Sequence, residues 1–343
     1  MAKVLVTGGC GYIGSHTIVD LLTSGHEVVS IDSYVRSSPK VLEGIASITN
    51  KKVVNYAIDL CDEKAVKSFF DQHQDIDTII HFAALKSVPE SVNEPIKYYQ
   101  NNINSLLNIL KYAKENKVEN FIFSSSCSVY GNTQELPVTE NTPMLEAQSP
   151  YARTKQICEQ ILQDTVKSGS NLKVVLLRYF NPAGAHHSIK IGEYPQIGAY
   201  NMVPILTETA AGLRNTFIVM GGDYPTRDGS CIRDYIHICD LAKAHTLCID
   251  FLVKQKQSLC EAINVGIGQG VTVLEAVQTL EKILEKPLNY VIGERRAGDV
   301  IAIYANYEKA KTLLNWAPQY TIHDIMQTAW QWQNVLLKEK SLV

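Results

Sequence analysis

The sequence predicts an α/β protein: a doubly wound parallel sheet followed by a smaller C-terminal α/β region. Three observations carry this. Short apolar runs alternate with helical stretches of roughly 10–20 residues over the first half of the chain. Gly8, Gly9, Gly11 and Gly14 separate the first run from the first helical stretch. An acid, Asp32, closes the second run. Crossovers between such strands are expected to be right-handed.

Taken in order, Val4 to Thr7 reads as a buried parallel strand. Tyr12 to Ser24 has helical periodicity through Ile13, Ile18, Leu21 and Leu22, and Gly25 suits the position just past a helix end. Val28 to Ile31 is a second strand, ending at Asp32. Val53 to Ile58 is a third, ending at Asp59. Asp62 to His73 reads as a helix and Thr78 to Phe82 as a fourth strand. Ile96 to Glu115 reads as a long helix, with Ile103, Leu106, Leu107, Ile109 and Leu110 at apolar positions. Phe121 to Phe123 is a fifth strand that runs into Ser124, Ser125 and Ser126. Ser149 to Lys167 is a helix and Val174 to Tyr179 a sixth strand. From Asn181 the alternation fades, and Pro182, Gly184, Gly192, Pro195, Gly198 and Pro204 punctuate a loop-rich segment. No low-complexity linker separates the two regions, so they are expected to pack against each other. Ile322 to Leu337 is an amphipathic helix that closes the fold.

Composition narrows the function classes. The 343 residues suit about two domains or one large α/β body. Lys plus Arg is 32 and Asp plus Glu is 35, a net charge of −3, which argues against nucleic acid or an anionic membrane as partner. No apolar run approaches the roughly 18 residues of a membrane span. The N-terminus does not read as a signal peptide. Eight cysteines form no CxxC pair, so no metal site or redox dithiol is expected. They read as small core residues of a cytoplasmic protein.

The glycine cluster fits a dinucleotide site. Glycines there allow a tight turn, close approach of a pyrophosphate and packing of helix on strand, while the helix start offers N–H groups to the anion. The spacing is Gly8-x-x-Gly11-x-x-Gly14, not G-x-G-x-x-G. Asp32 suits the ribose hydroxyls of NAD and repels a 2′-phosphate; Arg36 nearby softens that preference. Asp59 is placed to reach adenine, and as an isolated residue is equally a loop acid.

A second constellation opens the helix at Ser149. Ser149 suits the N-cap and Pro150 the first helical position. Tyr151 and Lys155 are then i and i+4 and share a face. A phenol and an ammonium in register suit a base and its tuner; an ordinary amphipathic helix with exposed Tyr and Lys is the plain alternative. Free tyrosine has a pKa near 10, so half ionisation at pH 7 needs a drop of about three units, or roughly 4 kcal/mol. Lys155, a positive nicotinamide ring and the helix N-terminus all push that way. Ser124 to Ser126 lie at the carboxyl end of a strand, where ligand crevices form.

Together the glycine pattern, Ser126 and Tyr151-x-x-x-Lys155 resemble the extended short-chain dehydrogenase/reductases, whose cofactor domain is a Rossmann sheet. Longer stretches, Thr7 to His16, His81 to Lys86, Arg178 to Pro182 and Arg233 to His237, resemble the UDP-glucose 4-epimerases, and the resemblance covers essentially the whole chain. It implies an NAD-binding domain over 1–180. A mainly UDP-sugar-binding domain follows over 181–343, with some segments returning to pack on the first. It implies reversible epimerisation of UDP-glucose and UDP-galactose through a 4-keto sugar on tightly held NAD. Tyr151 is then the base, Ser126 steadies the proton, and Lys155 also bonds the nicotinamide ribose. The implied cofactor contacts are Gly8, Gly11, Tyr12, Ile13, Gly14, Asp32, Asp59, Leu60, Phe82, Lys86, Asn101 and Tyr179, besides Tyr151 and Lys155. The implied substrate contacts add Asn181, Asn201, Met202, Arg233, Tyr235, Arg296, Asp299 and Ile303 to Ser126, Tyr151 and Tyr179. Arg233 and Arg296 are the implied diphosphate clamps. A homodimer through the helices Ile96 to Glu115 and Ser149 to Lys167 is also implied.

Three departures matter. Ile303, of intermediate bulk, stands where the family uses a large residue to restrict the sugar and a small one to admit N-acetylated sugars. It therefore predicts preference for UDP-glucose and UDP-galactose over UDP-GlcNAc and UDP-GalNAc. Ser33 and Arg36 differ from the commonest residues of the ribose loop. Ser124 to Gly131 holds no Asp or Glu, which argues against the dehydratases and decarboxylases that share the early chemistry. A UDP-glucuronate epimerase stays as an alternative. A non-catalytic NAD sensor would be expected to lose Tyr151 or Lys155, and both are present.

Overall fold

In the computed structural model, which describes residues 1–194, 198–296 and 300–341, the first region follows the predicted alternation. Its elements are β1 (Lys3–Thr7), α1 (Tyr12–Thr23), β2 (Glu27–Ile31), α2 (Lys40–Thr49), β3 (Val54–Tyr56), α3 (Glu63–Gln72), β4 (Thr78–His81), α4 (Val88–Asn93), α5 (Pro95–Glu115), β5 (Asn120–Ser126), α6 (Pro150–Lys167) and β6 (Lys173–Tyr179). The helix α2 and the six-residue α4 are additions to the sequence reading. Both are inserted after strand ends, where a short helix carries too few apolar repeats to stand out. Strand β5 runs three residues further than its apolar core predicts. Ser124, Ser125 and Ser126 stay in the ladder because Leu177, Arg178 and Tyr179 of β6 pair with them in parallel register.

The later chain adds β7 (Asn181–Ala183), α7 (Met202–Ala210), β8 (Phe217–Met220), β9 (Ile232–Arg233), β10 (Tyr235–His237), α8 (Ile238–Val253), β11 (Leu259–Val265), β12 (Val271–Thr272), α9 (Val273–Leu284), β13 (Tyr290–Gly293), β14 (Ala302–Ile303), α10 (Glu308–Leu314) and α11 (Ile322–Ser341). The main sheet has seven parallel strands in the order β3-β2-β1-β4-β5-β6-β11. Its seventh strand thus comes from beyond residue 258, after α8 has crossed back over the sheet.

Each face of the sheet has its own core. On one, Ile18, Leu21 and Leu22 of α1, Ile45 of α2 and Leu241, Cys248 and Ile249 of α8 pack on Val4, Val6 and Ile80. On the other, Phe69 and Phe70 of α3, Leu106 and Ile109 of α5 and Leu162 of α6 pack on Leu5, Ile79 and Phe121. A third cluster joins α7, α9 and α11 in the second region. The crossover order reverses between β1 and β4, which places a crevice at their carboxyl ends. No described helix is long and apolar enough to cross a membrane.

Candidate active site

A cleft of about 1010 Å³ lies over the carboxyl ends of β1 to β6 and extends into the second region. That is the upper end of the roughly 300–1,000 Å³ usual for one small ligand, and suits two ligands side by side. Asp299 lies outside the described residues. Every other implied cofactor or substrate contact lines this cleft: Gly8, Gly11, Tyr12, Ile13, Gly14, Asp32, Asp59, Leu60, Phe82, Lys86, Asn101, Ser126, Tyr151, Lys155, Tyr179, Asn181, Asn201, Met202, Arg233, Tyr235, Arg296 and Ile303; Gly9 and Ser125 of the same motifs do not.

The glycine turn is built for close approach. Gly8 has φ +69°, and a Cβ on it would stand 2.9 Å from the Ala83 nitrogen. A Cβ on Gly14 would run into the Gly8 carbonyl oxygen and lie 2.8 Å from Gly9 Cα. No side chain caps the start of α1 at Gly11, which leaves the first-turn N–H groups to an anion. Gly14→Ala is therefore expected to cost about 1–3 kcal/mol of stability and to reduce the NAD retained on purification. Thermal unfolding and absorbance of the purified variant check both, and a parent-like result would contradict the close-packing account.

Asp32 joins this turn to the next strand end. Its Oδ2 accepts from Cys10 N at 3.0 Å, and its Oδ1 accepts from Tyr34 N at 2.9 Å and Ser37 Oγ at 2.6 Å. A carboxylate has about four acceptor positions, so capacity remains for a hydroxyl. Arg36 is turned to Glu90, with Nη2 2.6 Å from Oε1, so its charge is already matched. Asp59 Oδ1 accepts from Cys61 N at 2.9 Å. Asn101 donates to Asn102 Oδ1 at 3.0 Å; Asn102 in turn brackets Leu85 N and O and reaches Thr154 of α6. These groups fit a dinucleotide: a Cβ-free cradle, an uncapped helix start and an acid with spare acceptor positions.

The catalytic candidates meet at β5 and α6. Ser149 caps α6, its Oγ accepting from Ala152 N at 3.2 Å, with Pro150 in the first turn. Tyr151 and Lys155 share a face, the ammonium 5.9 Å from the centre of the phenol ring. Lys155 Nζ donates to the Ser124 carbonyl at 2.5 Å and lies over the Phe123 ring. Burial pulls Lys155 down from 10.5 to about 8, opposed by Cys158 and Glu159. The Tyr151 hydroxyl departs from expectation. Burial drives its pKa well above the ordinary value, and only the Ser126 hydroxyl pulls it back. Desolvation thus outweighs the lysine and the helix end, and a phenolate needs a further positive charge beside it.

Ser124 was legible only as a neighbour of Ser126. Strand period puts the two on one face, and the Ser124 hydroxyl pairs with Tyr179 OH. Burial raises the Tyr179 hydroxyl above its usual range, so it is a neutral hydrogen-bonding group. Cys127, Tyr98, Phe180 and Glu193 also line the cleft without having been singled out. Glu193 Oε1 accepts from Asn201 Nδ2 at 2.7 Å and sits 3.4 Å from Lys86 Nζ, joining the two halves. No local spacing marks it.

On the far side, α7 also begins without a side-chain cap, at Asn201. Asn181 holds a buried Oδ1 with no partner among the described residues. Arg233 and Tyr235 flank Asp234, whose buried carboxylate accepts from Ile267 N at 2.8 Å, Gly268 N at 3.1 Å and Ala305 N at 3.0 Å. Strand β14 pairs with β9, Ile303 opposite Arg233. The Ile303 side chain is 5% exposed and packs with Val129, Tyr130 and Phe180.

The sequence profile of the GDP-mannose 4,6 dehydratase family matches residues 5–329. A curated relative from Schizosaccharomyces pombe, a UDP-glucose 4-epimerase, is 43% identical over 96% of this chain and 93% of its own. The UDP-glucose 4-epimerase of Bifidobacterium longum, solved with NAD+ and UDP, superposes with a TM-score of 0.93 at 43% identity, over 97% of this chain and 98% of its own. This chain belongs to the UDP-glucose 4-epimerase family. The Stenotrophomonas maltophila enzyme, solved with NAD and a formylated UDP-arabinopyranose, has a TM-score of 0.95 at 40% identity, over 99% of this chain and 100% of its own. The stretch Ser124 to Gly131 holds no Asp or Glu.

Proposed function

We propose that this chain interconverts UDP-glucose and UDP-galactose with NAD held in the cleft. The observation that carries the reading is Tyr151, Ser126 and Lys155 converging where the cofactor and sugar halves of one cleft meet. NAD held by the glycine turn and Asp32 would supply reversible hydride transfer at the sugar C4. Tyr151 removes the proton of the 4′-hydroxyl and restores it, and Ser126 holds that hydroxyl in line. Lys155 supplies positive charge to the phenolate and a donor to the ribose.

For the cofactor, Gly8, Gly11, Tyr12, Ile13 and Gly14 line the diphosphate cradle and Asp32 receives the ribose. Asp59, Leu60, Phe82, Lys86, Asn101 and Tyr179 complete its walls. For the substrate, Arg233 and Arg296 balance the second diphosphate beside the uncapped start of α7. The unpartnered Asn181 Oδ1 offers an acceptor to a sugar or uridine donor. Asn201, Met202 and Tyr235 line the nucleotide side, and Asp299 is assigned to the ribose by family resemblance. Incubation of the purified protein with UDP-galactose and no added NAD is expected to yield UDP-glucose by proton NMR. No conversion after NAD is supplied would overturn the substrate assignment.

Ile303 sets the sugar preference. Its buried position against Phe180 leaves no room to gain an acetamido group without displacement. Ile303→Gly is expected to raise activity on UDP-GlcNAc relative to UDP-glucose by at least about ten-fold, the lower end of what one methylene is worth in an apolar pocket. Parallel kinetics on both substrates check this, and an unchanged ratio would contradict it.

A homodimer through α5 and α6 is consistent with Ile96 and Leu107 of α5, 71% and 44% exposed. Sedimentation at twice the mass of one chain is the expected result; a monomer would refute it. All eight cysteines are free, which supports a cytoplasmic, reducing location.

A further inference from the structure

The strand that delivers Ser126 presents three consecutive serines, each meeting a different partner. Ser124 receives Lys155 on its carbonyl oxygen and pairs its hydroxyl with Tyr179. Ser126 stands beside Tyr151. Between them, Ser125 donates its hydroxyl to Oε1 of Glu159. Glu159 is fully buried and lies four residues beyond Lys155 on α6, on the same face as Lys155 and Tyr151. Arg178 of β6, 4% exposed, closes on it as a fork: Nε to Oε1 at 2.9 Å and Nη2 to Oε2 at 2.6 Å. Arg178 Nη1 also donates to the Tyr130 hydroxyl at 3.1 Å, and Tyr130 donates to Asn264 Oδ1 on β11 at 2.6 Å.

None of Ser125, Glu159, Arg178, Tyr130 or Asn264 is among the groups lining the cleft, so this network works behind the site. A buried ion pair is a poor source of stability, since apolar residues of similar volume often serve as well or better. What a two-point fork fixes is distance and direction. Here the fork ties α6 to β6, and Ser125 ties the same carboxylate to β5, at the residue between the two serines that meet Lys155 and Tyr151.

We propose that Glu159, held by Arg178 and Ser125, is a positioning residue that seats α6 on β5 and so keeps Tyr151 and Lys155 opposite Ser126 and Ser124. This rests on the epimerase reading above. The surroundings of Lys155 make the charge of Glu159 legible as well. From its own helix it faces Tyr151, Cys158 and Glu159; from β5 the Phe123 ring and Ser124 carbonyl; from β4 His81; on β6, Arg178 and Tyr179 are bonded to its neighbours Glu159 and Ser124. Burial pushes Cys158 up to about 11 and His81 down to about 3, so both are neutral near pH 7. Glu159 is then the anion that helps Lys155 keep its proton.

The test compares Ser125→Ala, Glu159→Gln, Glu159→Asp and the double variant Glu159→Gln/Arg178→Met with the parent, each as NAD-loaded protein. Glu159→Gln and the double variant are expected to lose kcat by about ten- to hundred-fold, with KM for UDP-galactose within about two-fold and bound NAD unchanged. Ser125→Ala, which leaves the ion pair intact, is expected to lose about three- to ten-fold. The alkaline limb of kcat should move to lower pH in Glu159→Gln, because Lys155 loses its anion, and return in Glu159→Asp. Parent-like kcat in both Ser125→Ala and the double variant overturns the proposal, as does a loss confined to KM or NAD content. Ser125→Ala and the double variant decide the matter if Glu159→Gln does not fold. If the parent itself fails to convert UDP-galactose, the epimerase reading falls separately. A crystal structure of the double variant then decides: a shift of α6 on β5 of more than about 0.5 Å supports the positioning role, and an unmoved helix refutes it.

Discussion

Tyr151→Phe is expected to leave a folded protein that retains its NAD and loses turnover by about 10²–10⁴-fold. The substitution removes one oxygen and keeps the ring, so α6 keeps its cap at Ser149 and its seat on β5. Ser126 loses the phenol hydroxyl beside it, and the buried Cys127 thiol and Tyr179 hydroxyl that remain nearby both have their pKa raised by burial, so neither is a ready base. The pH profile gives the same residue pair a second signature. Lys155 has its folded pKa lowered to about 8, so it is a cation below that pH and loses its proton as pH rises through it. The phenolate then loses its stabilising charge, and the parent rate should decline on the alkaline side of about pH 8. The residual rate of Tyr151→Phe should lack that limb. NMR conversion assays across pH, with absorbance for bound NAD, check both parts, and parent-like turnover would remove Tyr151 from the role of base.

The features legible in the sequence are those whose geometry is local. The turn at Gly8 to Gly14 and the i, i+4 pairing of Tyr151 with Lys155 are set by neighbours within a few residues. Asp32 directly follows the apolar run of β2, whereas β3 ends at Tyr56, short of Asp59, and β5 takes in the serines only because β6 pairs with them. What escaped depends on distant partners. Strand β11, whose run is broken by Glu261 and Asn264, does not stand out in the sequence, and it joins the sheet only by pairing with β6 from beyond α7 and α8. The direction of the Tyr151 shift escaped because desolvation is a property of the assembled cleft, not of a helix face. Glu193 joins Lys86 to Asn201 from a loop with no period at all. Arg233 and Arg296 carry no spacing signature, and only the family resemblance marked them out among the arginines.

Asp234→Asn is expected to cost about 3–5 kcal/mol and to lower the unfolding temperature by about 4–7 °C in a chain of this length. The Asp234 carboxylate is fully buried and accepts three backbone N–H bonds: Ile267 on Oδ1, Gly268 and Ala305 on Oδ2. An amide has one acceptor oxygen and one donor nitrogen. Whichever way it is turned, its NH₂ faces at least one backbone N–H, and a buried donor is left without an acceptor. Burial pushes the Asp234 carboxyl up to about 6, while the three N–H groups pull it back, so the acceptor role, not net charge, is what the site requires. The same bonds hold the loop after β11 and Ala305, two residues past β14, against the strand carrying Arg233. Loosening them should therefore raise KM for UDP-galactose several-fold, through Arg233 and Ile303, while leaving NAD in place on the opposite wall. Calorimetry with steady-state kinetics measures both effects. A variant that unfolds at the parent temperature would show that the three N–H groups find water instead, and that Arg233 is aimed by its own contacts.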